Sequence, residues 1–145
     1  MTFNNVKNIF LIGIGGIGMS ALARYFITKK KYVMGYDREY SEITDALQKS
    51  GAIITYDEHD YSFIDKFESQ KDETLVIYSS AIKKDHSLLN QFIISDFNIA
   101  KRASVLEIIS NSCKCIAIAG THGKTTTASI LTHILSKSDI KFMSF

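Results

Sequence analysis

Apolar residues along this chain fall into short runs divided by polar or glycine-bearing breaks, and the spacing inside the runs switches between two periods. Residues 8–12 (NIFLI), 32–37 (YVMGYD), 52–56 (AIITY) and 74–78 (TLVIY) are short runs rich in β-branched and aromatic side chains, which predicts buried strands. Between them the spacing becomes helical. Ser20, Ala21, Leu22, Ala23, Tyr25 and Phe26 continue as a helix with an apolar face. In 41–50 (SEITDALQKS), Ser41 is placed to cap a helix, Ile43, Ala46 and Leu47 share one face, and Gly51 stops it. A polar loop at 57–60 leads to a short helix at 61–67 with Phe63, Ile64 and Phe67 inward. Asp85 or Ser87 is expected to cap a helix through Leu88, Leu89 and Phe92, and 98–100 (NIA) predicts a fifth strand. Ser104, with Glu107 three residues later, predicts a capping box on a helix carrying Val105, Leu106, Ile108 and Ile109. A polar link at 110–114 runs into 115–119 (CIAIA), which predicts another buried strand. A helix then opens at Gly123-Lys124-Thr125, and 140–145 (IKFMSF) has the look of a last strand. Strands alternating with helices argue an α/β chain with a mostly parallel sheet flanked by helices. Residues 1–111 make roughly five βα units, a complete small doubly wound domain, and residues 112–145 begin a second one.

Two glycine loops sit at strand-to-helix junctions. The first, Gly13-Ile14-Gly15-Gly16-Ile17-Gly18, spells G-x-G-x-x-G after a strand and before a helix. Asp37, ending the next strand 19 residues after Gly18, stands close to where a ribose-binding acid is expected. Glycines there allow a tight turn and close helix–strand approach and leave N–H groups free for a diphosphate, although a turn with no ligand accounts for the same residues. Ser79, Ser80 and Ala81 follow the fourth strand, and small residues at the carboxyl end of a parallel strand leave room for a ligand. The second loop, Gly120-Thr121-His122-Gly123-Lys124-Thr125-Thr126, suits phosphate. Its N–H groups and the helix N-terminus face an anion, Lys124 adds a full charge, and Thr125 offers a hydroxyl to Mg²⁺. It is two residues shorter than the usual P-loop, with Ile118 where the pattern wants glycine.

Composition narrows the class without adding chemistry. The chain has 145 residues, 46% hydrophobic and 22% charged, as in an ordinary globular protein with a real core. A net charge of +2 is too small to argue for nucleic acid or an anionic membrane surface. The polar start MTFNNVKN and the short glycine-rich run after it read as neither signal peptide nor membrane span. Cys113 and Cys115, two residues apart, are expected as free thiols in a reducing cytosol. Proline is absent against roughly 5% in average usage, which is a bias of composition and not a fold signal.

Two glycine loops about a hundred residues apart suggest two phosphate-bearing ligands. Taken together, Gly13-Ile14-Gly15-Gly16-Ile17-Gly18-Met19-Ser20, Ser79-Ser80-Ala81-Ile82, Lys101-Arg102-Ala103 and Ala117-Ile118-Ala119-Gly120-Thr121-His122-Gly123-Lys124-Thr125-Thr126-Thr127 resemble the Mur ligase family, and the likeness covers essentially all of the chain. The resemblance explains the shortened second loop. It implies a Rossmann-like first domain holding a UDP-sugar, followed by the start of a P-loop ATPase domain. The implied reaction joins L-alanine to UDP-N-acetylmuramate through an acyl phosphate, with ATP and Mg²⁺, in a bacterial cytoplasm.

By the same resemblance, the loop would bind the sugar nucleotide through Gly13, Gly15, Gly16, Ile17, Gly18 and Met19, with Gly15, Gly16, Ile17 and Gly18 offering N–H groups to the diphosphate. Asp37 would lie near the ribose or uracil, with Ser79, Ser80 and Ala81 across the pocket. Arg102 is a further contact unless it merely pairs with a carboxylate, and His59 reads more simply as a loop residue. Gly120, Thr121, His122, Gly123, Lys124, Thr125 and Thr126 would hold ATP, with Lys124 and Thr125 catalytic, Thr125 on the metal, and His122 shaping the loop. Other strands, a second carboxylate and a base-binding surface expected of an ATP domain do not follow, so the chain is expected to be the front part of a larger protein, inactive alone. Two rivals stand beside this reading: a sibling ligase that returns a tripeptide to the same nucleotide sugar, and a nicotinamide-binding dehydrogenase domain, which leaves the second loop unexplained.

Overall fold

A computed structural model describes residues 3, 5–83 and 85–145. Five strands, β1 (Asn8–Ile12), β2 (Tyr32–Tyr36), β3 (Ile53–Thr55), β4 (Thr74–Tyr78) and β5 (Asn98–Lys101), form one parallel sheet in the order β3-β2-β1-β4-β5. Helices α1 (Ile17–Thr28), α2 (Glu42–Lys49), α3 (Ser62–Phe67) and α4 (Ser87–Ile94) connect the strands, and α5 (Arg102–Asn111) and α6 (Lys124–Ser136) follow β5. The expected α/β fold is present, and β1 lies at the centre because all five of its residues are buried.

Alternation along the strands divides the core. Ile9, Leu11, Leu75 and Ile77 pack with Leu22, Phe26, Leu47, Val105 and Ile109 on the face of α1, α2 and α5. Phe10, Ile12, Met34 and Val76 pack with Phe63, Phe67, Leu88 and Phe92 on the face of α3 and α4. The Phe10 ring lies 5.3 Å from Phe63 and 4.8 Å from Phe92. Each fully buried side chain of this size is worth roughly 1.5–3 kcal/mol relative to exposure, so both faces anchor the sheet.

Local signals decide most of the boundaries. Ser41 caps α2 as expected, its Oγ accepting from the Thr44 N–H at 3.2 Å while Thr44 Oγ1 accepts from the Ser41 N–H at 2.8 Å. Gly51 leaves that helix at φ +101. Replacing Ser41 with alanine is expected to cost about 1 kcal/mol of stability, seen as a lower urea midpoint with an unchanged slope.

Several expectations are corrected. The α5 helix starts at Arg102 with Lys101 at its N-cap, so Ser104 lies inside the first turn and no capping box with Glu107 forms. The strand β5 runs directly into the helix and leaves no room for a later start. His86, not Asp85 or Ser87, holds the N-cap position of α4; the Ser87 hydroxyl donates instead to the Glu58 carbonyl at 2.9 Å. Glu68–Glu73 forms a 3₁₀ turn that its polar sequence did not announce.

The strand expected at 115–119 is not formed. Those residues pair with no other strand among the described residues, and Ile116 is 68% exposed. The last strand expected at 140–145 is likewise unpaired, and α6 carries no buried residue. A strand is held by its neighbours, and β5 ends the sheet before these segments reach it.

Candidate functional site

The first glycine loop leaves β1 at its carboxyl end, between β2 and β4, where the strand order reverses. Gly13 turns there at φ +81. The Gly13 and Ile14 N–H groups donate to the Tyr36 carbonyl at 2.7 and 3.0 Å, tying the loop to the end of β2. Ile14 is fully buried beneath the loop, so the fold anchors this turn by packing as well as by hydrogen bonds.

Beyond Ile14 the main chain presents its amides in two groups. The Gly15 N–H donates to Asp37 Oδ2 at 2.7 Å, and the Gly16 N–H donates to the Gly13 carbonyl at 3.1 Å. Asp37 therefore organises the loop as well as lining the site. The Ser20 N–H closes the first helical bond onto Gly16 at 2.8 Å, which leaves the Ile17, Gly18 and Met19 N–H groups without a main-chain partner among the described residues. These three sit at the positive end of α1. The Met19 side chain is buried, so its amide alone can face a ligand, while Ile17 is 87% exposed.

Arg102 reaches this helix start from α5. A Cβ built on Gly18 would overlap Arg102 Nη1 and lie 2.6 Å from Cζ. The guanidinium thus rests on Gly18, and it forms no ion pair with a carboxylate among the described residues. The carboxylate-pairing alternative for Arg102 is not realised. A guanidinium beside three unpaired amides is an arrangement suited to an anion.

On the β4 side, Ser79 Oγ accepts from the Ala81 N–H at 3.3 Å and the Ser79 carbonyl from the Ile82 N–H at 3.1 Å, folding a tight turn. Ala81 and Ile82 then face Gly13 across a pocket of about 230 Å³, while Ser79 is half-buried and Ser80 exposed beside it. Tyr36, Asp37, Glu58 and His86 complete that pocket with Arg38 and Lys83. Burial, then the charges of Glu58 and Asp37, hold the Tyr36 phenol above its usual pKa and keep it protonated. His86 and Glu58 escaped the sequence reading. Position was the available signal, since His86 follows the carboxyl end of β4. His59 lies in the loop after β3, 65% exposed in its side chain, and bonds to Tyr61 Oη at 3.3 Å and Ser87 Oγ at 3.4 Å.

The second loop is built differently. Gly120 has φ +156 and Gly123 caps α6 at φ +77. The Thr127 N–H donates to the Gly123 carbonyl at 2.9 Å, so the Lys124, Thr125 and Thr126 amides open the helix. Lys124 Nζ folds back on the Gly120 and Thr121 carbonyls at 2.6 and 3.3 Å. His122 and Thr125 are exposed. These residues fit a phosphate chain and one metal-bound hydroxyl, but no group of three or more His, Cys, Asp or Glu side chains placed for a metal occurs among the described residues. Cys113 and Cys115 are free and exposed. No helix among the described residues is long and apolar enough to cross a membrane.

The family model described as Mur ligase family, catalytic domain, matches residues 8–113. Two curated proteins named UDP-N-acetylmuramate–L-alanine ligase are similar along the whole chain, that of Flavobacterium psychrophilum at 47% identity and that of Parabacteroides distasonis at 43%. The chain spans 32% and 31% of their lengths. The crystal structure of the UDP-N-acetylmuramate-alanine ligase of Thermotoga maritima superposes with a TM-score of 0.76 at 30% identity, over 89% of this chain and 29% of that one.

Proposed function

The chain belongs to the Mur ligase family, and from that premise we propose that it forms the sugar-nucleotide-binding unit and the opening of the ATP site of a ligase that joins L-alanine to UDP-N-acetylmuramate. Residues 1–111 are read as the first unit and 112–145 as the start of the second. The observation that carries the first half is the meeting of the Ile17, Gly18 and Met19 amides with the Arg102 guanidinium at one helix start. A diphosphate bridging a nucleoside and a sugar has the charge such a cradle neutralises. The likeness of the whole chain to ligases of that name supports the reaction.

In this reading the two loops divide the work. The first holds the diphosphate, with Gly13, Gly15 and Gly16 shaping the turn and Asp37 fixing it. Ser79, Ser80 and Ala81 wall the other side. The second loop holds the phosphates of ATP on the amides from Gly120 to Thr126, and the Lys124 ammonium neutralises charge as the γ-phosphoryl group moves to the sugar carboxylate. The L-alanine amine then displaces phosphate from the acyl phosphate, forming the amide and releasing ADP and phosphate overall. The Thr125 hydroxyl would help hold Mg²⁺, which would supply neutralisation of the phosphate charge.

Titration of the 145-residue chain tests the first half. UDP-N-acetylmuramate should bind with measurable heat while NAD and NADP give none, and no alanine-dependent phosphate release should accompany binding. Heat with NAD or NADP alone would hand the site to a dehydrogenase-type domain.

A further inference from the structure

The pocket between β2 and β4 carries a polar pair that nothing so far has used. His86 Nε2 lies 3.9 Å from Glu58 Oε2, too far for a direct hydrogen bond. His59 Nε2 stands 3.5 Å from the other oxygen, Glu58 Oε1, so it is Glu58 Oε2 and His86 Nε2 that keep a hydrogen-bonding valence free beside the pocket both residues line. The other nitrogen of His86, Nδ1, is buried without a partner among the described residues, and the ring stands edge-on to Tyr36 at 5.2 Å. A buried N–H with no acceptor costs about 1–3 kcal/mol, which favours placing the donor hydrogen of the ring on Nε2, the nitrogen that faces Glu58. The chain thus presents a donor, His86 Nε2–H, next to an acceptor, the Glu58 carboxylate.

The pair is held in place from three elements. Glu58 lies in the loop after β3, and the Ser87 hydroxyl ties that loop to α4 by donating to the Glu58 carbonyl at 2.9 Å. His86 is the N-cap residue of α4, with a side chain only 13% exposed. Tyr36 ends β2. At about 230 Å³ the pocket is below the roughly 300–1,000 Å³ of sites that engulf drug-sized molecules, so it takes one ring and not a whole sugar nucleotide. The α1 amides and Arg102, which take the diphosphate in that reading, lie outside the lining of this pocket.

We infer that His86 and Glu58 are the specificity-determining residues for the base, reading a pyrimidine edge with a carbonyl beside a ring N–H. This rests on the reading that the site takes a uridine nucleotide, and it adds which groups select that base. The uracil O4 accepts from His86 Nε2–H while uracil N3–H donates to Glu58. Cytosine reverses both partners: its amino group meets the His86 donor and its N3 lone pair meets the carboxylate. A site built to bond one such edge rejects the other through its unpaired groups.

Calorimetric titration of the 145-residue chain with UDP and with CDP tests this. Wild-type protein should bind UDP about tenfold or more tightly than CDP. His86→Phe keeps a ring against Tyr36 and should lower UDP affinity while CDP affinity holds or rises, bringing the two together. Glu58→Gln, at a half-exposed side chain, should raise CDP binding relative to UDP, because an amide can donate to the cytosine N3. Thermal melts check that each variant folds, and if His86→Phe does not, the Glu58→Gln ratio decides. Equal affinities for UDP and CDP in the wild type, equal losses of both in His86→Phe, or an unchanged ratio in Glu58→Gln overturns the assignment while leaving the uridine-nucleotide site intact. Failure of the wild type to bind either nucleotide overturns that underlying reading and this one with it.

Discussion

Lys124→Ala, made in a full-length protein that carries this chain, should lower ligase turnover by a factor on the order of 10³ while leaving affinity for UDP-N-acetylmuramate within about threefold. Phosphoryl transfer asks little covalent chemistry of a protein and much electrostatic positioning, so the single ammonium over the loop is where most of the loss falls. The structure gives that ammonium a defined seat: Lys124 Nζ bonds the Gly120 and Thr121 carbonyls at 2.6 and 3.3 Å, within the turn it serves. Arginine is not an equivalent replacement, because a planar fork cannot occupy the seat of a compact point charge, and Lys124→Arg is expected to recover little turnover. The binding measurement separates this from collapse of the protein. Lys124 lies on α6, which contributes no buried residue, whereas the first glycine loop rests on the core through Ile14. A large loss of sugar-nucleotide affinity in Lys124→Ala would contradict the division of the two ligands between two loops.

The same contrast explains what the sequence disclosed and what it withheld. NIFLI, YVMGY and TLVIY are strands because their apolar runs match a sheet buried on both faces, and a run of that kind carries its own signal. CIAIA has an equally apolar run, yet it stays unpaired: hydrophobicity says that a segment wants a partner, not that one lies within reach. The glycine loop was legible because its spacing encodes a turn that few sequences share. Asp37 was found by its distance along the chain, but its bond to the Gly15 N–H depends on β2 lying beside β1. Glu58 and His86 are 28 residues apart and meet only because the loops after β3 and β4 rise at one end of the sheet, so no local pattern could reveal them. The cap of α5 failed for a smaller reason. Ser104 and Glu107 have the right spacing, but Arg102 is already helical where β5 ends.

That early start of α5 is what brings Arg102 onto Gly18, and it yields a sharp expectation for the anion site. Arg102→Ala should weaken UDP-N-acetylmuramate binding by roughly ten- to a hundredfold, the equivalent of one or two charge-assisted hydrogen bonds. Arg102→Lys should recover only part, since the charge remains but the fork is lost. The more telling variant is Gly18→Ala. Gly18 sits in the first turn of α1, where alanine is favoured over glycine by about 0.5–1 kcal/mol, and its new methyl group would meet only the mobile end of a side chain. Stability should therefore hold or rise. The methyl group would nevertheless occupy the place of the Arg102 guanidinium and push it off the α1 N-terminus. Gly18→Ala is thus expected to melt no lower than the wild type and yet to bind the sugar nucleotide several-fold more weakly, with a smaller dependence on salt because one cation has left the site. Wild-type affinity in a folded Gly18→Ala protein would mean that the guanidinium does not bear on the ligand, and that the α1 amides hold the diphosphate without it.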